Sequence, residues 1–220
     1  MHLSTKGSNN NFQFKINEGQ VPSERIPLVI EKIDSLNFQV LIAKYSWGTP
    51  VEELIPEYER LAANMPNVWN QKSGYIDMLW MVSIGIMLEI DNDIFSILNK
   101  LVEESELDDY LLKYLFNSRD CEVDTIEGNF LFETPYKYLS NVITEDKNTG
   151  QKNLKYYLEH KWYQGHEDTS WHDIHKEEQR LYYGYWSFES GALAQILRLD
   201  DSSLKDTTYY PYDMVHYQDK

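Results

Sequence analysis

MLWMVSIGIML, residues 78–88, is an eleven-residue run, apolar but for one serine and one glycine, set between Asp77 and Glu89. A bilayer crossing needs roughly 20 such residues. The run therefore predicts a helix buried on every side, and a helix of that kind belongs at the centre of a bundle. The pattern extends it over 73–90. Downstream, Asp91-Asn92-Asp93 supplies cap residues for a helix over 94–104, and a further helix over 107–117 turns Leu111, Leu112 and Leu115 inward. Upstream, Ser23 reads as the N-cap of a first helix, with Glu24 in its first turn, that ends at Gly48-Thr49-Pro50. Thr49 and Pro50 then open a second helix, which Met65-Pro66-Asn67 breaks.

Helical patterns resume over 133–144, break at EDKNTG and continue over 151–161, and a last one covers 183–199. Period-two alternation is scarce, so no strand is required. The expected fold is all-α: a compact multi-helix bundle of two helical halves. Its expected parts are a flexible N-terminal arm, 1–22, a helical half, 23–120, an acidic linker, 121–132, and a C-terminal helical domain, 133–220. A short echo links the halves: LEIDND, residues 88–93, resembles LRLDDS, residues 197–202. Each would close an apolar helix and offer acids as the cap of the next.

Charge narrows the function. With 36 acidic and 20 basic residues the chain carries −16, which disfavours nucleic acid and anionic membranes as direct partners and favours a basic one. Residues 101–133 hold ten acids (Glu103, Glu104, Glu106, Asp108, Asp109, Asp120, Glu122, Asp124, Glu127 and Glu133) against Lys113 and Arg119. The bland account of such a run is a solvated face that keeps the protein soluble. A lone Cys121 cannot form an internal disulfide and no secretory leader is evident, so cytoplasmic residence is expected.

Catalytic signals are weak. HKWYQGHEDTSWHDIH carries His160, His166, His172 and His175 beside Glu167, Asp168 and Asp173. Among the histidines only His172 and His175 have the i, i+3 spacing that lets two ligands converge from a helix. A helical metal-dependent hydrolase using His166, His172, Asp173 and His175 is the alternative to a binding role. DKNTGQKNLKYY puts Gly150 and Tyr157 where a calcium loop needs an oxygen ligand and a glutamate. No phosphate-binding glycine loop or nucleophile elbow occurs, and no metal or cofactor is expected. In YYGYWSFESGA, residues 182–192, Glu189 falls among aromatics. It is either a catalytic acid or a buried hydrogen-bonding tie, and with no matched second carboxylate the tie is favoured.

Three segments, WYQGHEDTSWHDIHK, YYGYWSFESGALAQILRLDDSSLKD and YYPYDMVHY, together resemble the C-terminal domain of the PoNi family of bacterial immunity proteins. The likeness covers 156–217; LIAKYSWGTPVEEL, residues 41–54, is similar to that family's Ala-x-Tyr-Ser-x-Gly turn. The resemblance implies a non-enzymatic helical protein that binds and neutralises a cognate basic DNase toxin, of the PoNe type, from an interbacterial secretion system. It would do so by occluding the toxin's DNA-binding or active-site surface. Glu103, Glu104, Glu106, Asp108, Asp109, Glu122, Asp124 and Glu127 are the expected contacts, since acids steer toward the Lys and Arg that a DNase presents to phosphates. Trp162, His166, Trp171, His175, Tyr185, Trp186, Glu189, Asp200, Asp201, Tyr212 and Asp213 form the expected structural signature. Their aromatic character suits fold maintenance more than contact.

Overall fold

The computed structural model describes residues 22–70, 74–119, 128–176 and 184–219. Among them nine α-helices follow one another: α1 (Ile26–Ser46), α2 (Val51–Val68), α3 (Tyr75–Met87), α4 (Asn92–Glu104), α5 (Tyr110–Asn117), α6 (Ser140–Thr144), α7 (Lys147–Tyr157), α8 (Phe188–Leu197) and α9 (Tyr212–Val215). No strand occurs among the described residues, and the fold is all-α. The expected arm lies almost wholly outside the described residues, as do Asp120, Cys121, Glu122, Asp124 and Glu127.

The apolar run becomes α3, and every residue from Met78 to Met87 is buried. It packs against α8 from the far end of the chain and against α4 and α5; α1 lies along α2, and α2 along α4. Close approach of α3 and α8 depends on Gly191, where a Cβ would fall 2.4 Å from Met87 Sδ and 2.7 Å from Pro211 Cγ. One apolar cluster runs from Phe38 through α3 and α8 to Tyr217, so the two expected halves share a core.

The LEIDND and LRLDDS echo is a repeated turn. Glu89 and Arg198 each adopt the left-handed conformation at φ 51°. Glu89 N–H donates to Ile86 O at 3.0 Å and Ile90 N–H to Gly85 O at 3.2 Å; Arg198 N–H donates to Gln195 O at 3.1 Å and Leu199 N–H to Ala194 O at 3.0 Å. Both are Schellman closures, which satisfy the last carbonyls of a helix. Asp91 then accepts from Asp93 N at 2.7 Å, and Asp200 from Ser202 N at 3.3 Å.

Several helix limits differ from expectation. Ser23 makes no capping bond, because a 3-10 turn, Ser23–Arg25, precedes α1. Pro50, not Thr49, stands at the N-cap of α2, and both Pro56 and Pro66 lie inside that helix. Buried Leu54, Tyr58, Leu61, Ala62 and Met65 hold it through the lost backbone bonds, a case of packing overriding a breaker. EDKNTG breaks the chain only at its first two residues, since Asp146 caps α7 by accepting from the N–H groups of Asn148 and Thr149 at 3.0 and 3.3 Å. The helix expected over 133–144 shrinks to a 3-10 turn, Tyr136–Leu139, and α6. The last long helix starts at Phe188, leaving Trp186 ahead of it, while Tyr182 and Tyr183 lie outside the described residues.

Candidate functional site

The acidic turn between α4 and α5 is built from its caps. α4 ends at Ser105, Glu106 takes the left-handed conformation at φ 56°, and the chain turns into α5 with Asp109 as N-cap. Glu103, Glu104, Glu106 and Asp108 are exposed. Glu103 accepts from Asn99 at 3.2 Å, Glu104 pairs with Lys100 at 3.7 Å and Asp108 pairs with Lys113. All three are contacts on exposed surface, where such pairs contribute little.

Asp109 must be separated from that group. It is fully buried. Its Oδ1 accepts from Leu112 N at 2.9 Å and from Tyr75 OH at 3.2 Å, and its Oδ2 from Leu131 N at 2.8 Å. Burial raises its pKa, and the hydrogen bonds oppose the rise. A side chain so enclosed cannot reach a partner; it fastens α5 to the strap that follows it.

In the C-terminal half, Trp162 stacks on Trp171 at 5.7 Å between ring centres, Trp171 lies 6.0 Å from Trp80, and His166 sits 5.0 Å from both Trp162 and Trp171. Trp162 closes a π-helical turn, Leu158–Trp162, that continues α7. Trp186 donates its indole N–H to Ser46 Oγ at 2.7 Å, tying the signature to the end of α1. Asp201 is buried and joins His216 at 2.8 Å and the Tyr210 hydroxyl, while Tyr212 stacks on His216 at 4.2 Å. Asp200 caps the turn after α8, and Asp213 is exposed.

Glu189 is fully buried on the first turn of α8. Its Oε1 accepts from Ser187 Oγ at 2.7 Å and from Tyr157 OH at 3.0 Å. Oε2 and the neighbouring Trp162 Nε1 have no hydrogen-bond partner of regular geometry, although the indole helps to hold the carboxylate charge. Burial dominates and pushes the carboxyl up to about 7, against the bonds from Ser187 and Tyr157. Through the Tyr157 bond the group links the end of α7 to the start of α8.

The histidines are engaged separately. His166 contacts Trp162 O through Nδ1 at 2.5 Å and the Tyr136 hydroxyl through Nε2 at 2.8 Å, and burial lowers its pKa to about 4. His172 lies on the Tyr163 ring at 4.3 Å, Asp173 accepts from Tyr163 OH at 2.6 Å and from Lys176 at 2.7 Å, and His175 meets Tyr185 OH at 2.9 Å. Among the described residues no three His, Cys, Asp or Glu side chains converge as a metal site.

Residue patterns did not reveal Arg119, which lies in the acidic stretch yet serves α3. Its guanidinium donates to Gly85 O at 3.0 Å, Ile90 O at 2.6 Å and Asn92 Oδ1 at 3.0 Å, and covers the Phe95 ring at 4.0 Å. Nor did they reveal Leu131 and Phe132, exposed beyond the Asp109 cap.

Family models match nearly the whole described chain: that of the PoNe immunity protein (PoNi), N-terminal, over residues 22–100, and that of the PoNe immunity proteins (PoNi), C-terminal, over residues 107–214. The chain belongs to the PoNi family. The PoNi C-terminal match begins at the acidic turn and takes in the whole aromatic signature, while the PoNi N-terminal match carries α1 to α3 and most of α4. Searches of curated proteins and of solved structures each return no match. No helix among the described residues is long and apolar enough to cross a membrane.

Proposed function

We propose that this PoNi-family chain is the cytoplasmic immunity partner of a PoNe-type DNase toxin of an interbacterial secretion system, and that it neutralises the toxin by covering its basic DNA-binding or active-site surface. The acids offered to that surface are Glu103, Glu104, Glu106 and Asp108, together with Glu122, Asp124 and Glu127, which lie outside the described residues. Binding, not catalysis, is the proposed activity. The supporting observation is the exposure of the four acids at the end of α4 and on the turn that follows, with Lys100 and Lys113 the cations paired to them among the described residues. A DNase must present cations to phosphates, and a concentrated acidic surface attracts the same groups at long range. Of the signature residues, Trp162, His166, Trp171, Glu189 and Asp201 are buried, which supports reading them as scaffold for the turn more than as contact.

The test is binding to a purified PoNe-type nuclease domain, measured by rapid mixing at several salt concentrations, together with protection of cells expressing that domain. Nanomolar or tighter binding is expected, with an association rate that falls steeply as salt rises. The variant E103K/E104K/E106K/D108K should associate at least about tenfold more slowly and dissociate at nearly the parent rate. Association unchanged in this variant would place the interface elsewhere, and a wild-type chain that neither binds nor protects would end the immunity reading for this pair.

A further inference from the structure

Leu131 and Phe132 are large apolar neighbours that remain 47 % and 46 % exposed, yet the chain holds them in a fixed place. Tyr110 N–H donates to Asn129 O at 2.9 Å, and Leu131 N–H donates to buried Asp109 Oδ2 at 2.8 Å. The Phe130 ring lies 4.9 Å from Tyr110, and one side of Phe132 leans on Tyr75 at 4.9 Å. Asp109 directly follows Asp108, so the buried carboxylate that caps α5 also pins the apolar pair beside the acidic turn. Glu133, next in the chain, is exposed and pairs with Lys137 at 2.7 Å.

Two apolar side chains fixed against an acidic border, with their outer faces in water, have the anatomy of a binding hot spot: a central anchor that excludes solvent and a charged rim that steers. Ordering them before contact lowers the entropy cost of association. We infer that Leu131 and Phe132 are the apolar anchor onto which the basic nuclease docks, with Glu106, Asp108 and Glu133 as its acidic border. The inference rests on the proposed immunity function, and charge complementarity names the occupant: a partner with cationic groups around an apolar spot.

The anchor and the border act on different rates. Against a PoNe-type nuclease domain that the wild-type chain binds, L131A/F132A is expected to dissociate at least about tenfold faster at every salt concentration, with association nearly unchanged. L131R, which leaves the Phe132–Tyr75 contact in place, is expected to weaken binding by a similar factor while thermal unfolding stays at the parent temperature. Dissociation at the parent rate in both variants, with the wild-type chain bound tightly, would overturn the anchor and leave the immunity reading intact. A wild-type chain that fails to bind would overturn both.

Discussion

Glu189 and His166 share one aromatic core and respond to acid in opposite ways. Below pH 4.5 Glu189 is protonated in folded and unfolded chains alike; between 4.5 and about 7 only the folded chain keeps the proton. Stability therefore falls by about 3 kcal/mol as pH rises through that window, then levels. His166 takes up its proton near 6.5 when unfolded and only near 4 when folded, so stability falls by about 3 kcal/mol as pH drops from 6.5 to 4. Glu189→Gln removes the first slope. Its amide N–H groups have no ready acceptor beside Trp162 Nε1, so the variant should be about 1–3 kcal/mol less stable than the parent at pH 4.5. That gap should close by pH 8, as read from the difference between two urea-unfolding series; a gap independent of pH would refute the assignment. Asp109 gives a second residue-scale contrast. Asp109→Ala strips the cap from α5 and leaves Leu131 N–H and Tyr75 OH unpaired, an expected cost of about 3 kcal/mol by denaturant unfolding, whereas Asp108→Ala should stay within about 0.5 kcal/mol. Neighbouring acids in one sequence run thus have unrelated tasks, and charge alone could not separate them. The cap role was open to inference from an acid just before Tyr110-Leu111-Leu112, but its hold on Leu131 was not, because that contact joins residues 22 apart.

Helices were the most legible level. The all-apolar run marked α3, and the paired turns LEIDND and LRLDDS marked two Schellman closures, because each needs only local residues. What escaped was whatever depends on distant contact. Pro66 reads as a breaker until the apolar face of α2 is seen in the core, and the EDKNTG stretch reads as a break although Asp146 starts a helix within it. Arg119 belongs here too. A cation at the C-terminal end of α3 meets the negative end of the helix dipole and three oxygen acceptors at once. Arg119→Met keeps much of the packing on Phe95 and removes those bonds, with an expected loss of about 2–4 kcal/mol in denaturant unfolding; a loss below about 0.5 kcal/mol would show that water replaces the guanidinium without penalty. Gly191→Ala should force α8 away from Met87 and Pro211, lowering stability by about 1–3 kcal/mol.

At the scale of the whole molecule, charge and core divide the work. The acidic balance of −16 would set how fast a basic partner of the proposed kind arrives, and one core joins residues from 38 to 217. Because α8 covers α3, the chain should not divide at the boundary between its two family matches: a fragment of residues 1–106 leaves α3 uncovered and is expected to aggregate, as judged by sedimentation and by loss of near-UV circular dichroism. A soluble, cooperatively unfolding fragment would refute the shared core. The same packing has a consequence in time. α3 ends at Met87 and its cover begins at Phe188, so on a ribosome adding about 5–20 residues per second, α3 emerges roughly 5–20 s before α8 exists. During that interval the least polar helix among the described residues lacks its cover, and the proposed immunity would begin only once α8 has been made and packed.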